Sequence, residues 1–159
     1  MYGLKIDSWE RLVSLFAQEL DSSNMGAWPY VDLTAQSIGV HVNRDYGDPT
    51  CEEDMDGHEI VDIEPKGARE SFDVMEHYIR RRPIAQADVL FDAIRRPKPF
   101  ARFRAEVQRL GILQDWYNYK NAAFEKIAEA RLRDSGIDVR DGKIVCTIPE
   151  NVIVFKVQP

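Results

Sequence analysis

Between Phe100 and Gly136 the chain runs FARFRAEVQRLGILQDWYNYKNAAFEKIAEARLRDSG, where apolar side chains return at helical rather than strand intervals. Phe100, Phe103, Val107 and Leu110 form one stripe, which Gly111 interrupts. Trp116, Tyr117, Ala123, Phe124, Ile127 and Leu132 form a second, which stops at Ser135 and Gly136. Residues three and four apart share a helix face. The spacing therefore predicts a short helix ending at Leu110 and a long one from about Leu113 to Asp134, roughly 33 Å at about 1.5 Å per residue. Two apolar helix faces need cover, so the flanking segments must pack on them, and Phe100, Phe103, Trp116 and Phe124 are expected in the core.

The flanks read as a mixture of helix and strand. Asp7 and Glu10 have capping-box spacing ahead of Trp9, Leu12, Val13, Phe16 and Leu20, which predicts a helix over about 8–20. WPYVDL and IGVHV predict a hairpin with Thr34 to Ser37 as its loop, and HEIVDIE a third strand stopped by Pro65 and Gly67. A helix from Ala68 uses Phe72, Met75 and Ile79 and ends in Arg80, Arg81 and Arg82, where cations complement the helix dipole. Pro83 opens another, through Ile84, Ala87, Leu90, Phe91 and Ile94, that stops at RRPKP. In the tail, Asp141 and Gly142 fit the two central positions of a type I′ turn, and Pro149 to Asn151 a second turn, so a three-strand β meander is expected. The fold class is α+β. One domain is expected over 1–159: a helix, hairpin and acidic loop over 1–67, a helical part over 68–136 with about four helices, and a β tail over 137–159.

Charge is unevenly spread. The chain carries −6 overall, yet Arg80 to Arg109 holds nine basic residues against Asp88, Asp92 and Glu106, a local +6 that leaves −12 elsewhere. Residues 43–57, NRDYGDPTCEEDMDG, form a turn-rich acidic loop without either periodicity. Two cysteines, Cys51 and Cys146, make neither a disulfide framework nor a zinc spacing, and Cys146 alternates with Ile144 and Ile148 as a small core residue. The N-terminus lacks a secretory pattern and no apolar run of membrane-spanning length occurs, so a cytoplasmic protein is expected.

FARFRAEVQRLGILQDWYNY, Phe100 to Tyr119, resembles a bacterial group known as uncharacterised protein family 0158, in its basic residues around Phe, its Leu-Gly break and its Trp-Tyr-x-aromatic run. EKIAEARLRDSGI, Glu125 to Ile137, is similar to that family's long helix, and GARESFDVMEHYI and YVDLTAQSIGV resemble its upstream helix and hairpin, with TAQS in place of a tight Gly turn. The likeness spans about Ile6 to Ile137, and residues 138–159 depart from it. It implies a small α+β protein of unknown role and no catalytic residues.

The residues themselves offer little chemistry. His41, His58 and His77 stand in no catalytic motif and are read as surface or structural. EEDMDG places Glu52, Asp54, Asp56 and Gly57 at calcium-loop positions one, three, five and six, but position twelve is Ile63, which cannot ligate. No metal or cofactor is expected. Charge remains. Arg95, Arg96, Lys98, Arg102 and Arg104, with Tyr119, are the candidate partner-binding residues, and Glu52, Glu53, Asp54 and Asp56 a candidate acidic surface. This pattern points to a non-catalytic binding or regulatory domain that engages a protein partner through oppositely charged surfaces. Nucleic-acid binding by Arg80 to Arg109 is the alternative, although a core role for Phe100 and Phe103 would remove the stacking rings it needs. A hydrolase using Asp115 near Arg102 and Tyr119 is the third.

Overall fold

The computed structural model describes residues 5–22, 28–41, 55–65 and 67–156. The chain groups into two compact units, one from Met1–Lys66 with Phe124–Pro159, the other Gly67–Ala123.

The first unit opens with helix α1, Trp9–Ser22. Its cap is Ser8, one residue later than the sequence spacing indicates, because Ser8 Oγ accepts the Arg11 backbone N–H at 3.2 Å. Leu12, Val13, Phe16, Ala17 and Leu20 are buried. Strands β1 (Trp28–Asp32) and β2 (Ser37–His41) form the expected hairpin. Asp32 pairs with Ser37, so the loop is 33–36. That one-residue shift follows from Asp32 Oδ1 accepting the Ala35 N–H at 2.8 Å, with Gln36 in the left-handed region at φ 57°. Strand β3, Glu59–Asp62, pairs antiparallel with β1.

Val31 and Val61 are buried on one face of this sheet. Tyr30 lies across Gly39 on the other, where a Cβ would overlap its ring. The Tyr30 hydroxyl donates to Met55 Sδ at 3.0 Å, and Met55, Ile60 and Phe155 close a small apolar cluster beneath it.

The tail differs from a three-strand meander. Strands β4 (Ile137–Arg140) and β5 (Lys143–Cys146) make the expected hairpin, with Asp141 at φ 53° and Gly142 at φ 73° as a type I′ turn requires. The 3₁₀ turn at Pro149–Asn151 then redirects the chain, held by Asn151 Nδ2 donating to the Ser135 carbonyl at 2.8 Å. Strand β6, Ile153–Val154, consequently pairs with β3, not β5. Phe155 N–H to the His58 carbonyl and Gly57 N–H to the Phe155 carbonyl, both 2.8 Å, extend that pairing. Among the described residues the sheet order is β2-β1-β3-β6, beside a separate β4-β5 pair. The outer edge of β5 is met by a side chain: Gln36 accepts the Ile144 N–H at 2.7 Å and donates to the Ile144 carbonyl at 2.9 Å, as a neighbouring strand would.

The second unit is helical: α2 (Ala68–Arg80), α3 (Ile84–Ile94), α4 (Pro99–Arg109) and the first half of α5 (Leu113–Asp134). Prolines 83 and 99 sit where a helix start needs no N–H, and Gly111, at φ 75°, ends α4. Tyr78, Phe103 and Trp116 meet edge to face, with centroids 5.2 Å apart for Tyr78–Trp116 and 4.8 Å for Phe103–Trp116. Val74, Met75, Ile79, Leu90, Ala93, Ile94 and Val107 are buried with them.

Two expectations about this core are corrected. Phe100 is not in it: the buried stripe of α4 narrows to Phe103 and Val107, and Phe100, in the first turn at the border of that stripe, stays 48% exposed. Along α5 the buried line is Trp116, Phe124, Ala128 and Leu132, a run at multiples of four. Tyr117, Ala123 and Ile127 are half-buried, and the Lys120 ammonium lies 5.0 Å from the Tyr117 ring centroid.

Candidate binding surface of the helical unit

Of the six residues singled out for partner binding, only Arg96 and Arg102 line a common depression. This depression, of about 170 Å³ between α3 and α4, is also lined by Val89, Asp92, Ala93, Ala105 and Glu106. Two carboxylates face the two guanidiniums there: Arg96 is paired with Asp92 at 2.9 Å, and Glu106 with Arg109 at 2.7 Å. Arg102 turns its Nε back to the Pro97 carbonyl at 2.7 Å. An anion would find that depression already neutralised.

Arg104 points elsewhere. Two residues beyond Arg102 on a helix of about 3.6 residues per turn, it lies about 160° away around α4, and about 40° from Phe100. Arg104 is exposed and has no carboxylate partner among the described residues. Lys98, at the N-cap of α4, has a left-handed backbone, φ 59° and ψ 56°, and is exposed as well. Arg95 closes α3 and stacks 5.7 Å from the Phe91 ring centroid. The Tyr119 ring is 5.2 Å from that of Tyr78 and 5.4 Å from the Arg81 guanidinium.

Of the nine basic residues from Arg80 to Arg109, four have carboxylate partners: Arg80 with Glu76, Arg82 with Asp115, Arg96 with Asp92 and Arg109 with Glu106. Arg81, Arg95, Lys98, Arg102 and Arg104 have none among the described residues.

Asp115, named for hydrolysis, serves a different group of residues. Its Oδ2 accepts the Tyr78 hydroxyl at 2.7 Å and Arg82 Nη1 at 3.0 Å, while Arg82 Nε bonds Gln86 Oε1 at 3.0 Å. Burial of the phenol, reinforced by its bond to the carboxylate, pushes the Tyr78 hydroxyl well above the ordinary tyrosine range, and Arg82 opposes this only in part. The trio ties α2 to the start of α5. Neither Arg102 nor Tyr119 is among the Asp115 partners: Arg102 bonds the Pro97 carbonyl, and the Tyr119 ring meets that of Tyr78 and the Arg81 guanidinium.

In the sheet unit the structure brings together a pair that no sequence spacing signals. Asp32, 3% exposed, accepts His58 Nδ1 at 2.7 Å through Oδ2 and the Ala35 N–H through Oδ1. His41 Nε2 meets Asp62 Oδ1 at 3.0 Å, and its ring stacks on Phe155 at 5.7 Å. His77 Nδ1 lies 2.7 Å from the Asp73 carbonyl one turn back in α2. Cys146 is half-buried and its thiol lies 3.2 Å from the Ile148 carbonyl. Asp138, at the exposed start of the tail hairpin, is held below its usual range by the Val139 N–H and then Arg140. Of the acidic surface, Asp56 is exposed, whereas Glu52, Glu53 and Asp54 lie outside the described residues, as does Cys51. No group of three or more potential metal ligands occurs among the described residues, and no helix there is long and apolar enough to cross a membrane.

No family model, curated protein or solved structure matches the chain. The resemblance read over about Ile6 to Ile137 therefore rests on the sequence alone.

Proposed function

We propose that the chain is a non-catalytic binding or regulatory module that engages a protein partner through charge-segregated surfaces, with the helical unit as the acceptor of an acidic segment. One observation carries this. The division of charge coincides with the division of structure: Gly67–Ala123 holds eleven basic and seven acidic residues, net +4, and the rest holds ten basic and twenty acidic, net −10. Within the positive unit, five of the nine cations between Arg80 and Arg109 have no carboxylate among the described residues. Unpaired surface cations steer an anionic partner and favour its register, an effect that salt screens.

The test is binding of labelled peptides to the whole chain at about 50 mM and about 300 mM salt. The reading expects a Glu/Asp-rich peptide to be retained at low salt and released at high salt. Retention of neither the acidic peptide nor a Lys/Arg-rich one at low salt would count against it.

A second reading has one observation in its favour. The exposure of Phe100 within a turn of Arg104 returns an aromatic ring to the basic segment, which is the combination that stacks unpaired bases. Against it stands the modest +4 of the helical unit within a chain of −6, since affinity for a polyanion depends on many phosphate contacts. Titration with a short single-stranded RNA under the same conditions separates the two.

A further inference from the structure

The turn between α3 and α4 is built in an unusual way for an exposed loop. Its sequence is Arg-Arg-Pro-Lys-Pro-Phe, 95–100, and two prolines fix backbone angles on either side of Lys98. Lys98 itself occupies the left-handed region at φ 59°, which costs a residue with a Cβ about 1–2 kcal/mol. Arg102 Nε clamps the turn from the next helix through the Pro97 carbonyl, 2.7 Å away. The turn is thus rigid and strained, and such strain concentrates where a surface is held ready for a ligand.

What this rigid corner displays is an exposed phenylalanine ring in a stretch of chain rich in cations. Phe100 is 48% exposed two residues after Lys98, and Arg104 stands one turn further along the same side of α4, within the usual 5–6 Å spacing of such helix neighbours. Lys98 and Arg104 have no carboxylate among the described residues, and Arg95, likewise without one, closes the preceding helix. A purely electrostatic surface has no use for an exposed ring, whereas a docking surface needs an apolar anchor with charges at its rim.

We infer that Phe100, with Lys98, Arg104 and Arg95, is the anchor point for an acidic protein segment that carries an aromatic side chain among its carboxylates. The inference rests on the reading of the helical unit as an acceptor of acidic segments, and adds to it which residues bind and what the segment must contain besides charge. The cation one turn beyond the ring on the same side of α4, Arg104, matches a carboxylate close to the partner's aromatic residue. Because the corner is held rigid before binding, little ordering is needed when the segment arrives.

The test uses the whole chain and two twelve-residue peptides of equal negative charge, Glu-rich, one with a central Trp and one with Ser in its place. The Trp peptide is expected to bind about tenfold more tightly, the range of one aromatic contact with its burial. Phe100→Ala should erase that advantage while leaving the Ser peptide unchanged, and Arg104→Glu should weaken both. Phe100→Leu, which keeps an apolar group at the site, should retain part of the preference and guards against a folding artefact. Equal affinity for the two peptides would overturn the inference while leaving the charge-based reading intact, and absence of any binding at low salt would overturn both. Tighter, Phe100-dependent binding of a short oligouridylate than of either peptide would assign the corner to nucleic acid and overturn it too.

Discussion

The two units put their polar residues to opposite uses. In the sheet unit the notable polar side chains are turned inward or along the backbone: Asp32 is buried against His58, and Gln36 serves the edge of β5 with both ends of its amide. In the helical unit the corresponding carboxylate, Asp115, is exposed and shared between Tyr78 and Arg82, and five cations nearby on the chain are left without acids among the described residues. The first unit commits Asp32 and Gln36 to its own architecture and carries a net charge of −10. The second carries a net charge of +4, which is what the proposed acidic partner would meet.

The contrast is drawn most sharply within α4, where two phenylalanines three residues apart have opposite surroundings: Phe103 is 1% exposed and Phe100 48%. Phe103→Ala should lower stability by about 3–5 kcal/mol in urea unfolding, as truncation of a buried ring does. Phe100→Ala should cost well under about 1 kcal/mol. Equal losses would erase the distinction between a residue for folding and one for recognition.

The two carboxylates supply the next test. Asp32→Ala should cost about 2–3 kcal/mol, because it leaves the Ala35 N–H and the His58 ring without their buried acceptor. Asp115→Ala, at an exposed carboxylate, should cost about 1 kcal/mol. Gly39→Ala falls between them at about 1–2 kcal/mol, since the added methyl overlaps the Tyr30 ring and forces it off Met55. Unfolding midpoints of the three variants side by side check the order.

Tyr78→Phe should cost about 1 kcal/mol near neutral pH, and its effect carries a pH dependence of known sign. The folded-state value of Tyr78 is raised above the ordinary value of 10.0, so the native protein retains a proton that the unfolded chain releases. The resulting stability is fully present below about pH 10 and is lost as pH rises beyond it, by up to about 1.4 kcal/mol per pH unit. The Phe variant lacks this contribution, so the gap between the two proteins should narrow above pH 10. A gap that stays constant there would mean that Tyr78 ionises as freely in the folded protein as in the unfolded chain.

Much of the architecture was legible because local chemistry decided it. The helix over Leu113 to Asp134, the proline-led start of α3 and the Asp141-Gly142 turn are all dictated by residues within a few positions of one another. What was not legible depends on distance. Nothing in IPENVIVF says that β6 will pair with β3, since two-residue strands have no register of their own. Asp32 and His58 are joined across 26 positions without a shared pattern. The spacing of Phe100 fits the stripe of Phe103 and Val107, yet spacing cannot tell that a stripe stops one turn short. The same limit applied to the basic segment, where a count of arginines did not reveal that Arg102 and Arg104 face nearly opposite sides of one helix.

Phe100→Ala, assayed for both its urea midpoint and its affinity for an acidic, Trp-bearing peptide, addresses the central claim most directly. The account predicts a midpoint close to the parent's and an affinity reduced about tenfold. A lowered midpoint with undiminished affinity would place that ring among the residues that hold the unit together and leave the proposed surface without its anchor.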